Sequence, residues 1–203
     1  KIESHMLDGP AGKLVALLEE PDVAPREAVL VCHPHPQFGG TMHNKVVYRI
    51  ARGLRRTGRV VLRFNYRGVN LSEGSYDRGS GETEDARAAL AWLRAQYPHL
   101  PYSLAGFSFG SRIVLRIGCA SSDVRRVIAV GFPTKHQDHA LLSGCTADKV
   151  FIQSTNDEHG PRVDLELAFA DMLEPKRLLW VEAHDHFFAG ALDEFERTIQ
   201  SLD

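Results

Sequence analysis

Residues 102–110 read YSLAGFSFG, the most informative run of residues in the chain. A strand-like run over residues 102–105 leads into Gly-Phe-Ser-Phe-Gly, and a helix-like segment follows from Ser111 to Ala120. The pattern G-x-S-x-G between a strand and a helix is typical of a nucleophile elbow, a tight turn that lifts a serine hydroxyl off the edge of a sheet. Gly106 and Gly110 have a steric reason to be there, because a side chain at either position would crowd the neighbouring strand or helix. Ser108 is therefore the candidate nucleophile.

Outward from this turn, strand and helix signals alternate along the chain. Short apolar runs rich in β-branched residues are typical of strands buried on both faces. Between these runs, apolar residues recur at the spacing of one face of a helix. The pattern predicts strands at 13–19, 28–32, 60–64, 102–105, 124–130, 150–152 and 177–181, and helices at 43–57, 82–96, 111–120, 161–173 and 188–202. This alternation predicts an α/β fold with a doubly wound, mainly parallel sheet and helices on both faces.

The size and spacing of the chain predict one domain. With 203 residues the chain is long enough to build a single sizeable core. The stretch between the predicted strands ending at 130 and starting at 150 is too short for a separate lid domain. We therefore expect one domain over residues 1–203, with a thinly covered site at the carboxyl ends of the strands.

Charge and composition exclude several classes of partner. The formal net charge is −2, with acidic and basic residues interspersed, so neither nucleic acid nor an anionic membrane is expected as a partner. No apolar run approaches the ~20 residues that span a bilayer, and the N-terminal residues lack a secretory pattern, which predicts a cytoplasmic protein. The mature form of a secreted protein would show the same pattern, so it is the alternative. Monomer and homodimer both remain open.

The three cysteines argue against a disulfide scaffold. Cys32, Cys119 and Cys145 lie far apart and form no C-x-x-C pair. Cys32 and Cys119 fall in apolar segments, so both are expected to be core thiols.

A serine nucleophile needs a base, and the base needs an acid to orient it. On an elbow scaffold these partners follow in the order serine, acid, histidine. The loop after the strand at 150–152 carries Asp157 and Glu158, of which Asp157 is the preferred acid. The alternative for Asp157 is an acidic residue at a helix start, just before Pro161.

The base is one of two histidines after the strand at 177–181. His184 and His186 flank an aspartate there, and the residues alone allow either. A His-x-His pair also occurs in metal sites, but zinc needs a further protein ligand, and nothing in the sequence nominates one. Neither a metal nor another cofactor is therefore expected.

The chemistry also requires N–H donors for the oxyanion that forms when the serine adds to a carbonyl. One is the N–H of Phe109, directly after the nucleophile. The other is expected from the loop HPHPQFGG at residues 33–40, whose prolines cannot donate. His35, Gln37, Phe38 and the loop glycines all remain candidates. The side chains of the two loop histidines are expected to support the loop rather than to transfer protons.

A second polar group follows the strand at 60–64. Arg63, Arg67, Glu82 and Asp85 are expected to form a structural network that holds the Gly-rich loop at 68–81, rather than a site for a substrate carboxylate.

Five segments of the chain carry a resemblance to one family. They are HPHPQFGGTM at 33–42, NKVV at 44–47, RFNYRGV at 63–69, the elbow AGFSFG at 105–110 and DHFF at 185–188. In these segments the sequence resembles a small bacterial group of α/β-hydrolase fold serine hydrolases close to the dienelactone hydrolase-like branch. The chain departs from that group at Ser154, where a glycine is usual, and over residues 133–144, which lack an aromatic-rich stretch.

The resemblance implies a triad of Ser108, Asp157 and His186. In that group the base directly precedes two phenylalanines, which favours His186 over His184. Relatives of the same fold that carry aspartate or cysteine at the elbow use other nucleophiles, so Ser108 indicates acyl transfer to water. The expected substrate is a small or short-chain carboxylic ester, since no lid is expected to enclose a long chain. An amide, peptide or thioester can use the same residues, and a non-catalytic binding module with this fold is the remaining alternative.

Overall fold

The computed structural model describes residues 1–136 and 138–203, and their strands form one eight-stranded sheet. The strands are β1 (Ile2–Gly9), β2 (Gly12–Glu19), β3 (Glu27–Cys32), β4 (Arg59–Phe64), β5 (Tyr102–Phe107), β6 (Val127–Val130), β7 (Lys149–Ser154) and β8 (Lys176–Val181). Their order is β1-β2-β4-β3-β5-β6-β7-β8. Strand β2 pairs antiparallel with both β1 and β4. The remaining neighbours, from β4 through β3 to β8 across the sheet, pair in parallel. The α/β class and the mainly parallel sheet predicted from the sequence are confirmed.

Helices cover both faces of the sheet, as predicted. They are α1 (Lys45–Arg56), α2 (Ser80–Gln96), α3 (Phe109–Cys119), α4 (His139–Ser143), α5 (Arg162–Ala170) and α6 (Leu192–Gln200). The first and last pack in one apolar cluster on one face, and the other four contribute to the cluster on the opposite face. Each central strand serves both clusters, because its side chains alternate between the two faces. In β3, for example, Leu30 packs on one side while Val29 and Val31 pack on the other.

Strand β1 is an element that the sequence patterns do not predict. It pairs with β2 along its whole length, from Ile2 opposite Glu19 to Gly9 opposite Gly12. Ile2 and Met6 lie on its exposed face, with 49% and 54% of their surface accessible. Of the large apolar residues of this strand, only Leu7 is buried, so the usual periodicity signal is lost.

The cysteine prediction is wrong for one of the three residues. Cys119, at the end of α3, forms a disulfide with Cys145, whose Cα lies 4.9 Å away although 26 residues separate them in sequence. Only Cys32 is a buried free thiol. Disulfides are rare in the reducing cytosol, so this pair does not favour the cytoplasmic location, which stays a prediction.

The connection between β6 and β7 is short. The connection between β6 and β7 contains only the short helix α4 among its described residues. In the part of the chain that the structure describes, no helix is long and apolar enough to cross a bilayer.

Candidate active site

Ser108 lies at the turn between β5 and α3 in a backbone conformation that side chains rarely adopt. Its φ is 58° and its ψ is −116°. Such a conformation costs about 1–3 kcal/mol and persists only where the surroundings enforce it. A Cβ atom at Gly106 would lie 2.2 Å from the carbonyl oxygen of Gly110, and one at Gly110 would lie 2.2 Å from that of Cys32. The two glycines therefore allow the close contacts that hold the turn.

His186 lies within hydrogen-bond distance of the serine. Its Nε2 is 2.9 Å from Ser108 Oγ, and its Nδ1 is 2.8 Å from Asp157 Oδ2. Because the carboxylate can only accept, Nδ1–H donates to it, and Nε2 is left to accept from the serine hydroxyl. The imidazole is buried and stacks on Phe107, with ring centroids 4.9 Å apart. Its orientation is therefore fixed from two directions.

Asp157 is held by the loop that follows β7. Its Oδ1 accepts hydrogen bonds from the N–H groups of His159 and Gly160, at 2.8 and 2.9 Å, while Oδ2 faces His186. Both oxygens of this buried carboxylate thus have partners. The carboxylate is thereby fixed in position to accept the hydrogen bond from the imidazole.

The two competing candidates lie outside this hydrogen-bonded chain. Glu158 is exposed, and its Oε2 accepts only the backbone N–H of His186, at 3.2 Å. His184 is also exposed, and its ring lies against Gly190. The structure brings together Ser108, Asp157 and His186, the three residues that the family resemblance implies.

In the HPHP loop, one of the candidate N–H donors without an acceptor belongs to a residue that lines the cleft of Ser108. Residues 36–38 form a short 3₁₀ turn after His35. In this turn Gln37 N–H donates to Nδ1 of His35, and Phe38 N–H donates to the carbonyl oxygen of His35, both at 3.1 Å. Among the described residues, the N–H of His35 has no acceptor. Gly40 N–H likewise donates to His35 O, at 3.0 Å. Of the two candidates left, His35 and Gly39, only His35 is among the described residues that line the cleft of Ser108, which favours His35.

Phe109 supplies the other candidate N–H. It is the first residue of α3, so no carbonyl within the helix can accept its hydrogen. Both Phe109 and His35 line the same cleft as Ser108. Gln37 is not among the residues that line it.

His33 supports the loop, as expected from the sequence. Nδ1 of its buried ring is 2.7 Å from the carbonyl oxygen of Pro34, and Nε2 accepts a hydrogen bond from Tyr66 N–H at 3.3 Å. Both bonds require the neutral ring with hydrogen on Nδ1. Burial lowers the pKa of His33 to about 3, which keeps that form at neutral pH. Its role is therefore structural rather than one of proton transfer.

The four residues expected in one polar network divide into two groups. Arg67 binds Asp85 and the carbonyl oxygen of Gly81, while Glu82 accepts from two N–H groups of the Gly-rich loop. Arg63 instead pairs with Glu19, at 2.8 Å. The first group holds the loop as predicted, and Arg63 is not part of it.

The serine opens into a cleft of about 360 Å³. Besides Ser108, it is lined by His35, Phe38, Tyr76, Arg78, Phe109, Arg112, Pro133, His136 and His159. Burial is the main cause that lowers the pKa of His35 and of His136. A larger depression, about 650 Å³, lies at the start of α6, but the serine does not line it. Within residues 1–136 and 138–203, no three His, Cys, Asp or Glu side chains are grouped to hold a metal ion.

Sequence reasoning did not identify the basic residues of this cleft. Arg78 lies in the Gly-rich loop and Arg112 on α3, and neither belongs to a motif. The one available signal was the position of Arg78 directly before Gly79 at a helix start.

Comparison with known proteins places the chain among hydrolases. Residues 27–144 match a family described as alpha/beta hydrolase fold. An uncharacterised protein of Rickettsia prowazekii (strain Madrid E) is 32% identical over 201 residues, which is 95% of this chain and 84% of that protein.

Two solved structures are similar over nearly the whole chain. One is an α/β serine hydrolase homologue from Coxiella burnetii, 33% identical, with a TM-score of 0.93 over 98% of this chain and 95% of the other. The second is XC6422 from Xanthomonas campestris, a member of the α/β serine hydrolases without a lid, which is also 33% identical. Its TM-score is 0.86 over 100% of this chain and 97% of the other.

Proposed function

Because the chain belongs to the alpha/beta hydrolase fold family, we propose that it is a serine hydrolase that cleaves small or short-chain carboxylic esters. The observation that carries this proposal is the hydrogen-bonded chain from Asp157 through His186 to Ser108, at 2.8 and 2.9 Å. An acid, an imidazole and a hydroxyl in this order are the parts that convert a serine into a nucleophile.

The first half of the reaction acylates the serine. Ser108 Oγ attacks the ester carbonyl carbon while His186 Nε2 takes its proton, and Asp157 stabilises the imidazolium. The N–H groups of Phe109 and His35 donate to the oxyanion of the tetrahedral intermediate. His186 then gives the proton to the leaving alcohol, and the acyl group stays on the serine.

The second half releases the acid. Water gives a proton to His186 as it attacks the acyl carbon, and collapse of the second intermediate returns the proton to Ser108. The product is a carboxylic acid, so atoms and charge balance with water as the only co-reactant. The chemistry requires no cofactor.

We expect activity to fall with acyl-chain length. The cleft of about 360 Å³ is near the lower end of the range for small-molecule pockets, and only the short helix α4 stands in the β6–β7 connection. In a series of 4-nitrophenyl esters, kcat/KM should be highest for acyl chains of about two to four carbons. It should fall by about tenfold or more at twelve carbons, because a chain too long for the cleft displaces the ester carbonyl from its position at Ser108.

The same series tests the reaction class when matched anilides and thioesters are included. Faster cleavage of esters than of anilides is the expected result. An optimum for long acyl chains would contradict the size preference. Preferred cleavage of anilides or thioesters would replace the ester assignment while keeping the same residues.

A further inference from the structure

We propose that the ester cleaved by Ser108 carries an anionic group, a carboxylate or a phosphate, and that Arg78 binds it. This inference rests on the proposed function and adds the chemical class of the substrate. It follows from the charges of the cleft and from the loop that holds Arg78.

The cleft around Ser108 is basic. Of the described residues that line it, two are arginines, Arg78 and Arg112, and none is acidic. The lowered pKa values of His35 and His136 leave both rings neutral at pH 7. The described lining therefore carries cationic side chains and no carboxylate, in a concave site where an uncompensated positive charge attracts anions most strongly.

Only one of the two arginines lacks a counter-charge. Arg112 Nε is 2.7 Å from Asp138 Oδ2, so its charge is already paired. Among residues 1–136 and 138–203, no carboxylate oxygen lies within 4.0 Å of the exposed guanidinium of Arg78. The charge of Arg78 is therefore available to a ligand.

The nearest acidic residues along the chain are engaged elsewhere. Asp77 Oδ2 is 3.9 Å from an Nη atom of Arg67. Glu82 accepts hydrogen bonds from the N–H groups of Asp77 and Gly79, at 2.9 and 2.8 Å. Neither carboxylate neutralises Arg78.

The same two hydrogen bonds fix the loop that carries Arg78. Glu82 is fully buried and holds the N–H on each side of that residue. Arg78 itself has a φ of 57°, in the left-handed region that residues with side chains rarely adopt. A strained residue held in place beside a cleft is a reason to expect a function for it.

The loop also lies beside the nucleophile turn. A Cβ atom at Gly79 would lie 3.7 Å from Cε2 of Phe109, the residue after Ser108. Arg78 is therefore part of the wall of the cleft in which the ester must lie. Within about 360 Å³, a compact ester with one anionic group satisfies both the size and the charge of the site.

Matched pairs of esters test this inference. One pair places the charge on the acyl side: 4-nitrophenyl hydrogen succinate and its methyl ester. The other places it on the alcohol side: 4-acetoxybenzoate and methyl 4-acetoxybenzoate. For each pair we define the charge preference as the ratio of kcat/KM for the anionic member to that for the neutral member.

We expect Arg78→Gln to lower the charge preference by about fivefold in at least one pair, since a charge-assisted bond is lost. Arg78→Lys should restore part of it. Arg87→Gln removes the same charge from an exposed position on α2 that does not line the cleft, and should leave the preference unchanged. Added NaCl should lower the preference of the unmodified protein, because salt screens exposed charges.

A charge preference that Arg78→Gln leaves unchanged, or no charge preference in either pair for the unmodified protein, would overturn the inference. If Arg78→Gln does not fold, Arg78→Met removes the same charge and takes its place in the comparison. Failure of the proposed function gives a different result: no member of either pair would be hydrolysed faster by the unmodified protein than by Ser108→Ala.

Discussion

Ser108→Ala should abolish the hydrolysis of short-chain 4-nitrophenyl esters without unfolding the protein. The variant lacks the oxygen that forms the acyl-enzyme, while the N–H groups of His35 and Phe109 remain. It should therefore keep at most about a 10³-fold acceleration over the uncatalysed reaction, the share that binding and oxyanion donors supply in such sites. Steady-state rates on 4-nitrophenyl acetate measure this loss.

Stability and a second serine provide the controls. Alanine keeps the Cβ atom, so the strained backbone at position 108 costs the same, and the free energy of unfolding should change by about 1 kcal/mol for the lost bond to His186. Ser121→Ala, just past the far end of α3, removes a hydroxyl that donates to Ile117 O away from the cleft and should retain full activity. Full activity in Ser108→Ala would refute the mechanism.

His186→Ala should cause a loss of comparable size, whereas His184→Ala should not. His186 alone reaches both Ser108 and Asp157, so its removal takes away the base and the partner of a buried carboxylate. The expected fall in kcat is on the order of 10⁴- to 10⁶-fold. His184 is exposed and lies two residues before His186. The variant His184→Ala should therefore keep its activity within about twofold of the unmodified protein, as is usual for a surface substitution.

This pair of variants separates two histidines that the residues alone do not distinguish. Circular dichroism should show that both variants are folded, since His186→Ala leaves Asp157 with its two N–H donors. A large loss confined to His184→Ala would overturn the assignment of the base.

The parallel part of the sheet was predictable because its strands are short apolar runs buried on both faces. The elbow was predictable for a related reason, since two close backbone contacts can form only at Gly106 and Gly110. Both features are local in sequence. Element ends were less accurate: the strand predicted at 124–130 begins only at Val127.

Features that depend on distant contacts were missed. The disulfide joins Cys119 to Cys145, which lie close only because α3 packs beside the connection to β7. The choice of His35 as oxyanion donor depends on the hydrogen bonds inside one turn, which the letters of the loop do not specify. The role proposed for Arg78 depends on a left-handed backbone held by Glu82, and no sequence motif encodes it.

The central claim is that Ser108 is a nucleophile activated by His186. Reaction with a fluorophosphonate, followed by peptide mass spectrometry, tests it most directly, because phosphonylation requires an activated serine. We predict one phosphonyl group per chain on Ser108, with no labelling after His186→Ala and normal labelling after His184→Ala. Labelling at another residue, or an unlabelled protein that still hydrolyses esters, would contradict the account.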